Sequence, residues 1–234
     1  MLRTKFITDT IKIAAFHSRE VPKAKFRGRI TKDSLQPFEK FMATISLMAY
    51  MFVNDPEKLQ ERIHYGDMEY LLMRQYSDRT SVVYVHRPTN GAIIGYRGTL
   101  QYNVSDYTAD AMITIGKFES TTRFRDALAK YHLVKKHYDD VKLTGHSLGG
   151  TKAVCVGKWT NSIVYAFAPA QGINLRDIVK GLNKYPNIHT YHIMGDPVSL
   201  FCGMEYMENN NRFEPPTENA GMMQRHSLHS FLGQ

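Results

Sequence analysis

Six consecutive residues carry the most chemical information in the chain: Gly145-His146-Ser147-Leu148-Gly149-Gly150. They contain the pattern G-x-S-x-G, with the strand-like run Val141–Thr144 before it and the small-residue helical stretch Gly149–Gly157 after it. A serine at the tip of a tight strand-to-helix turn is held in a strained backbone conformation with its Oγ exposed. Glycines must flank it, because a Cβ there would collide with the neighbouring strand and helix. The same turn aims the first backbone N–H groups of the helix, and its positive end, at a developing oxyanion. A serine hydroxyl is a poor nucleophile at neutral pH, so it needs a base, and the base needs an orienting acid. Where such a turn supplies a nucleophile, the partners follow in the order Ser, Asp/Glu, His. Asp196, in Met194-Gly195-Asp196-Pro197-Val198, comes directly after a strand-like run ending at Met194. Loops beyond the carboxyl ends of strands are where α/β sheets place their sites. His226 and His229 both stand late enough to be the base. Spacing alone does not choose between them.

These residues need elements to hold them. Residues 22–30, PKAKFRGRI, alternate after the proline, with Lys23, Lys25, Arg27 and Arg29 on one face and Ala24, Phe26, Gly28 and Ile30 on the other. That period argues for an extended strand, read either as a cationic stripe for a polyanion or as an edge strand guarded by charge. Asp33-Ser34 offers an N-cap for a buried helix carrying Phe38–Val53. Two further helices are expected over Pro56 to Ile63 and Met68 to Gln75. Ser81–His86 and Ala92–Tyr96 read as a hairpin around Asn90-Gly91, and residues 110–116 as a short strand. Phe124, Ala127, Leu128, Tyr131, Val134 and Tyr138 make one apolar stripe on a helix over Thr121 to Tyr138, capped by Ser120 or Thr121. Ile163–Phe167 and Ile188–Met194 complete the strands. The stretch MENNNRFEPPTENAG reads as loop before a closing segment, His226–Leu232. Strands alternating with helices predict an α/β fold with a mostly parallel sheet opened by an antiparallel hairpin.

With those residues in place, the sequence resembles the class 3 lipases of the α/β-hydrolase superfamily over roughly residues 35–232. Ala92-Ile93-Ile94-Gly95-Tyr96-Arg97-Gly98-Thr99 is similar to the family's apolar strand followed by Phe-Arg-Gly-Thr/Ser, with Tyr96 in place of the usual Phe. Leu143-Thr144-Gly145-His146-Ser147-Leu148-Gly149-Gly150 matches its nucleophile turn. A weaker third block pairs Gly195-Asp196-Pro197-Val198 with His226-Ser227-Leu228 and the aromatic Phe231. The resemblance implies Ser147 as nucleophile, His226 rather than His229 as general base and then acid, and Asp196 as orienting carboxylate. It implies an oxyanion hole from the backbone N–H groups of Thr99 and Leu148, with Asp106 or Asp110 supporting the Thr99 hydroxyl. Leu100–Tyr107 stands where the family carries its lid. Its short, mixed composition predicts activity on monomeric short-chain esters without a large jump at an oil surface.

The composition sets bounds on this reading. A chain of 234 residues with 43% hydrophobic residues can bury the core of one domain, which excludes a disulfide-held mini-protein and a disordered tail. The net charge of +8 is concentrated in residues 1–32, which hold nine basic and two acidic residues. The other 202 residues balance 21 basic against 20 acidic. The expected organisation is therefore a basic N-terminal arm, 1–32, and a lipase-like domain, 33–234. The arm is expected to contact an anionic membrane peripherally. Nucleic acid is not an expected partner, since no base-reading motif accompanies the charge. No cofactor is implied, as neither a P-loop nor a G-x-G-x-x-G occurs. A metal is not implied either, for there is no H-E-x-x-H, and His132 and His137 do not share a helix face. Two cysteines, Cys155 and Cys202, and no visible secretory signal fit a cytoplasmic setting. Cys155 lies in an apolar helical stretch and reads as a small core residue. The expected function is hydrolysis of carboxylic esters, of triacylglycerol or phospholipid type. The alternatives are a non-catalytic binding protein on the same fold, and an acyltransferase or thioesterase using the same triad.

Overall fold

The computed structural model describes residues 24–99, 118–170, 185–200 and 209–233. Its frame is a sheet whose order, among the described residues, is β1-β9-β8-β7-β6-β5-β4-β3-β2. The strands are β1 (Lys25–Arg29), β2 (Arg62–Tyr65), β3 (Met68–Leu72), β4 (Ser81–His86), β5 (Gly91–Tyr96), β6 (Asp140–His146), β7 (Val164–Phe167), β8 (Ile188–Ile193) and β9 (Asn209–Glu214). From β5 through β8 and β9 to β1 the neighbours are parallel, whereas β2, β3, β4 and β5 are joined antiparallel.

Helices cover both faces, and β4 shows why they must. All six of its residues are buried. With period two, Val82 and Tyr84 enter the core beneath α1 (Pro37–Asn54), while Val83 and Val85 enter the core shared with α2 (Thr122–Lys135) and α3 (Leu148–Thr160). Helix α2 buries the expected Phe124, Ala127, Tyr131 and Val134, and Thr121 caps it by accepting the Phe124 N–H at 3.2 Å. Cys155 is buried in the α2/α3 core, as its neighbours suggested.

Several expectations need correction. Helix α1 begins after Gln36, whose N–H bonds Glu39 at 2.8 Å, rather than after Asp33-Ser34. Ser34 instead closes a preceding turn by accepting the Thr31 N–H. The expected helices over Pro56 to Ile63 and Met68 to Gln75 are a 3-10 turn at Pro56–Lys58 and the hairpin β2–β3. Gly66, at φ +56°, turns that hairpin, and Ile63, Tyr70 and Leu72 point into the α1 core. The loop expected after residue 201 contains β9. Its asparagines have low strand propensity, but Asn210 and Asn211 are buried and bonded to Thr190 on the neighbouring strand. The strand expected at 110–116, the lid segment Leu100–Tyr107, and Asp106 and Asp110 lie outside the described residues.

The basic stripe also has a different role from a free charged face. Lys25–Arg29 form the edge strand β1, pairing with β9. Gly28, at φ +74°, and a register shift between Phe26 and Arg29 break the alternation. Phe26 is exposed, while Arg27 turns inward to Glu39 at 2.8 Å and to the Ser34 carbonyl, with its guanidinium over the Phe213 ring.

Candidate active site

Strand β6 delivers His146 to the carboxyl edge of the sheet, and the chain reverses into α3 through Ser147 at φ 56°, ψ −127°. A non-glycine residue in that region is strained and persists only where its surroundings over-determine it. Here they do. The Ser147 N–H donates to the Phe167 carbonyl at 2.9 Å, and its own carbonyl accepts the Thr151 N–H at 3.0 Å. On either side the glycines allow close approach. A Cβ on Gly145 would overlap the Gly149 backbone, and one on Gly149 would overlap the Tyr96 carbonyl on β5. The helix therefore packs directly on β5 and β6, and its N-terminus faces the serine.

The other two residues arrive from separate elements. Asp196 follows β8 in a turn made by Gly195 at φ +76°, with the Asp196 N–H on the Ile193 carbonyl. It is fully buried, and Oδ1 also accepts the Val198 N–H at 3.0 Å, which fixes the carboxylate. His226 ends the short helix α5 (Met222–His226), with α4 (Pro197–Leu200) before it and α6 (Leu228–Leu232) after it in the chain. His226 Nδ1 lies 3.0 and 3.1 Å from the Asp196 oxygens, and Nε2 lies 2.9 Å from Ser147 Oγ. A carboxylate only accepts, so Nδ1 carries the proton and Nε2 presents a lone pair to the serine hydroxyl. His229, the other candidate, is exposed on α6.

Thr99 follows the end of β5, and Leu148 opens α3 after the turn at the end of β6. Tyr96 and Gly145 are register partners on the parallel strands β5 and β6. Gly98, which precedes Thr99, approaches the turn that carries Ser147, since a Cβ on it would lie 2.8 Å from the His146 carbonyl. The segment before Thr99 is held by Lys152, whose Nζ donates to the Arg97 carbonyl at 3.0 Å. Burial, reinforced by Arg97 and Arg123, pushes the Lys152 ammonium down to about 8. Among the described residues no group of three or more His, Cys, Asp or Glu is placed to hold a metal.

Two residues of the site escaped the sequence reading. His146 lies beneath His226, with burial and then the adjacent His226 pushing its protonation down to about 3. Tyr50, near the end of α1, touches it. His146 stood in the motif as a variable position, and Tyr50 closed an apolar run, so neither carried a signal of its own. His192 on β8 is likewise held neutral by burial, down to about 4.

Among solved structures the chain is similar to a mutant form of MDLA from Penicillium cyclopium, with TM-score 0.52 and 14% identity over 78% of this chain and 81% of that one. The chain has the α/β-hydrolase fold. Similarity to Lip2 lipase from Yarrowia lipolytica is lower, with TM-score 0.46 and 15% identity over 70% and 74% of the two chains. For a lipase from Rhizopus microsporus var. chinensis the figures are 0.36 and 13%, over 70% and 67%. No family model and no curated protein matches the sequence. The mostly parallel sheet and flanking helices of this fold are those the alternating pattern of the sequence predicted.

Proposed function

We propose that the protein is a serine hydrolase that cleaves carboxylic esters, with lipid esters as its substrate class. The observation that carries this reading is the continuous hydrogen-bonded line from Ser147 Oγ through His226 to Asp196, at 2.9 and 3.0 Å. His226 Nε2 takes the Ser147 proton as Oγ attacks the ester carbonyl carbon, and Asp196 stabilises the imidazolium that results. The tetrahedral oxyanion is received by the backbone N–H groups of Leu148 and Thr99, assisted by the positive end of α3. The intermediate collapses to acyl-Ser147 as the alcohol leaves with the proton from His226. Water, deprotonated by the same histidine, then releases the acid and restores Ser147. The lipid preference is supported by the sequence resemblance to the class 3 lipases.

Purified protein should hydrolyse p-nitrophenyl butyrate, and Ser147→Ala should lower turnover by about 10⁴-fold or more while remaining folded. Turnover unchanged in Ser147→Ala would refute the assignment. Contact with an anionic membrane through the basic arm is proposed alongside it, with a cytoplasmic, membrane-peripheral location. Since β1 belongs to the sheet, the appropriate truncation removes residues 1–23, which carry five basic and two acidic residues. That truncation should weaken binding to phosphatidylserine vesicles and spare soluble-ester hydrolysis. Equal vesicle binding by the two proteins would remove the arm from the account.

A further inference from the structure

The reaction above uses Ser147, His226, Asp196 and two backbone N–H groups. It leaves the buried His146 and the half-buried Tyr50 without a task. His226 is the last residue of a five-residue helix. Carbonyls at the end of a helix have no partner within it, and a buried one left unpaired is costly. The His226 carbonyl does have a partner: His146 Nε2 lies 2.6 Å from it. A carbonyl oxygen only accepts, so Nε2 carries the His146 proton. Nδ1 must then accept, and it does so from the Tyr50 hydroxyl at 3.0 Å. The two imidazoles are also in contact, tilted by 43° with centroids 4.9 Å apart. Held neutral by its burial, His146 keeps this donor–acceptor arrangement across the ordinary pH range.

Tyr50 links the arrangement to the remaining parts of the site. Its hydroxyl stands where a Cβ on Gly98 would be, and such a Cβ would also lie 2.8 Å from the His146 carbonyl. Gly98 immediately precedes Thr99. One tyrosine–histidine pair therefore touches the strand end before Thr99, the turn that carries Ser147, and the backbone of His226. The imidazole of His226 is tethered at its ring by Ser147 and Asp196. Its main chain, at the end of a five-residue helix, is tethered by His146.

We propose that His146, oriented by Tyr50, is a positioning residue that fixes the His226 backbone so that Nε2 stays in line with Ser147 Oγ. This inference rests on the ester-hydrolase reading above. His146 touches no reacting atom, so its loss acts through misalignment of His226. A displacement of about 1 Å at such a group can cost as much as 10²-fold in rate. The effect falls on proton transfer, so it belongs in kcat rather than in KM.

Three variants assayed on p-nitrophenyl butyrate, with circular dichroism and thermal melts as folding controls, test it. His146→Phe keeps the packing and removes the donor, and should lower kcat by roughly 10- to 100-fold with KM within about twofold. His146→Gln places an amide N–H near the same carbonyl and should recover most of that loss. Tyr50→Phe removes one oxygen and should lower kcat by about 3- to 10-fold through loss of the orienting bond. Wild-type kcat in folded His146→Phe, or a Gln variant as impaired as Phe at equal folded fraction, would overturn the role. Should His146→Phe fail to fold, wild-type kcat in Tyr50→Phe would overturn it equally. Inactive wild-type protein would reject the hydrolase reading and this inference together. Active wild-type protein with unaffected variants would reject the inference alone.

Discussion

Gly149, in the turn beside Ser147, and Gly28, on the edge strand, are both glycines the fold relies on, but for opposite reasons. At Gly149 the backbone is helical and the space is missing, since a Cβ would overlap the Tyr96 carbonyl. At Gly28 the space is open, with nothing within 4 Å of a Cβ, and the backbone is the constraint, at φ +74°. The first region is a close-packed junction of β5, β6 and α3 that holds a strained serine in place. The second is a bulge that turns Arg27 inward at the rim of the sheet. Constraint by contact leaves no room to adapt, whereas constraint by a dihedral angle costs a modest and fixed amount.

Substitutions can break that contrast in order of size. Gly149→Ala should be the most damaging, costing about 4 kcal/mol or more in chemical denaturation, because two backbones must separate. A cost near 1 kcal/mol would show that the junction is looser than its geometry. At the rim, Arg27→Ala should cost about 2–3 kcal/mol, since it strips Glu39 of a two-oxygen partner where both side chains are largely buried. Lys25→Ala, on an exposed side chain bonded to Asn209, should stay within about 0.5 kcal/mol. Equal effects would return the stripe to a simple solvated charge face.

Lys152 sharpens the comparison from the junction side. Its pKa falls from 10.5 to about 8 in the fold, so between those values the unfolded chain binds more protons than the native one. Stability supplied by Lys152 should therefore rise with pH through that window. Relative to Lys152→Met, wild-type protein should gain about 2 kcal/mol from pH 7.5 to pH 10 in urea titrations. Parallel pH profiles for the two proteins would place the ammonium in water instead. Gly28→Ala should cost about 1 kcal/mol from the positive φ alone, less than Arg27→Ala and more than Lys25→Ala.

The same contrast explains what could be read in advance. Ser147 and its glycines were legible because contact demands particular residue types at fixed spacing along one short segment. Asp196 was legible from its place after a strand. The hairpin β4–β5 and the stripe on α2 followed from periodicity and turn residues. Helices expected over Pro56 to Ile63 and Met68 to Gln75 run into the start of β2 and across β3, although Gly66-Asp67 is a two-residue hairpin loop between Ile63 and the alternating Tyr70 and Leu72. Strand β9 was invisible because its buried asparagines are satisfied by side-chain bonds that no propensity encodes. The choice of His226 over His229 came from resemblance, and the line from Ser147 to Asp196 passes through a contact between residues 79 positions apart. His146 and Tyr50, 96 positions apart, meet only in three dimensions. No local pattern could have joined them.

The most direct measurement is intact-protein and peptide mass spectrometry after exposure to a fluorophosphonate probe, with wild-type, Ser147→Ala and His226→Ala proteins treated in parallel. Wild-type protein should gain one probe mass, mapped to Ser147. Ser147→Ala should gain none, and His226→Ala should label at least about 10²-fold more slowly, because the hydroxyl has lost its base. Folded wild-type protein that takes up no probe, or takes it up at a residue other than Ser147, would contradict the account.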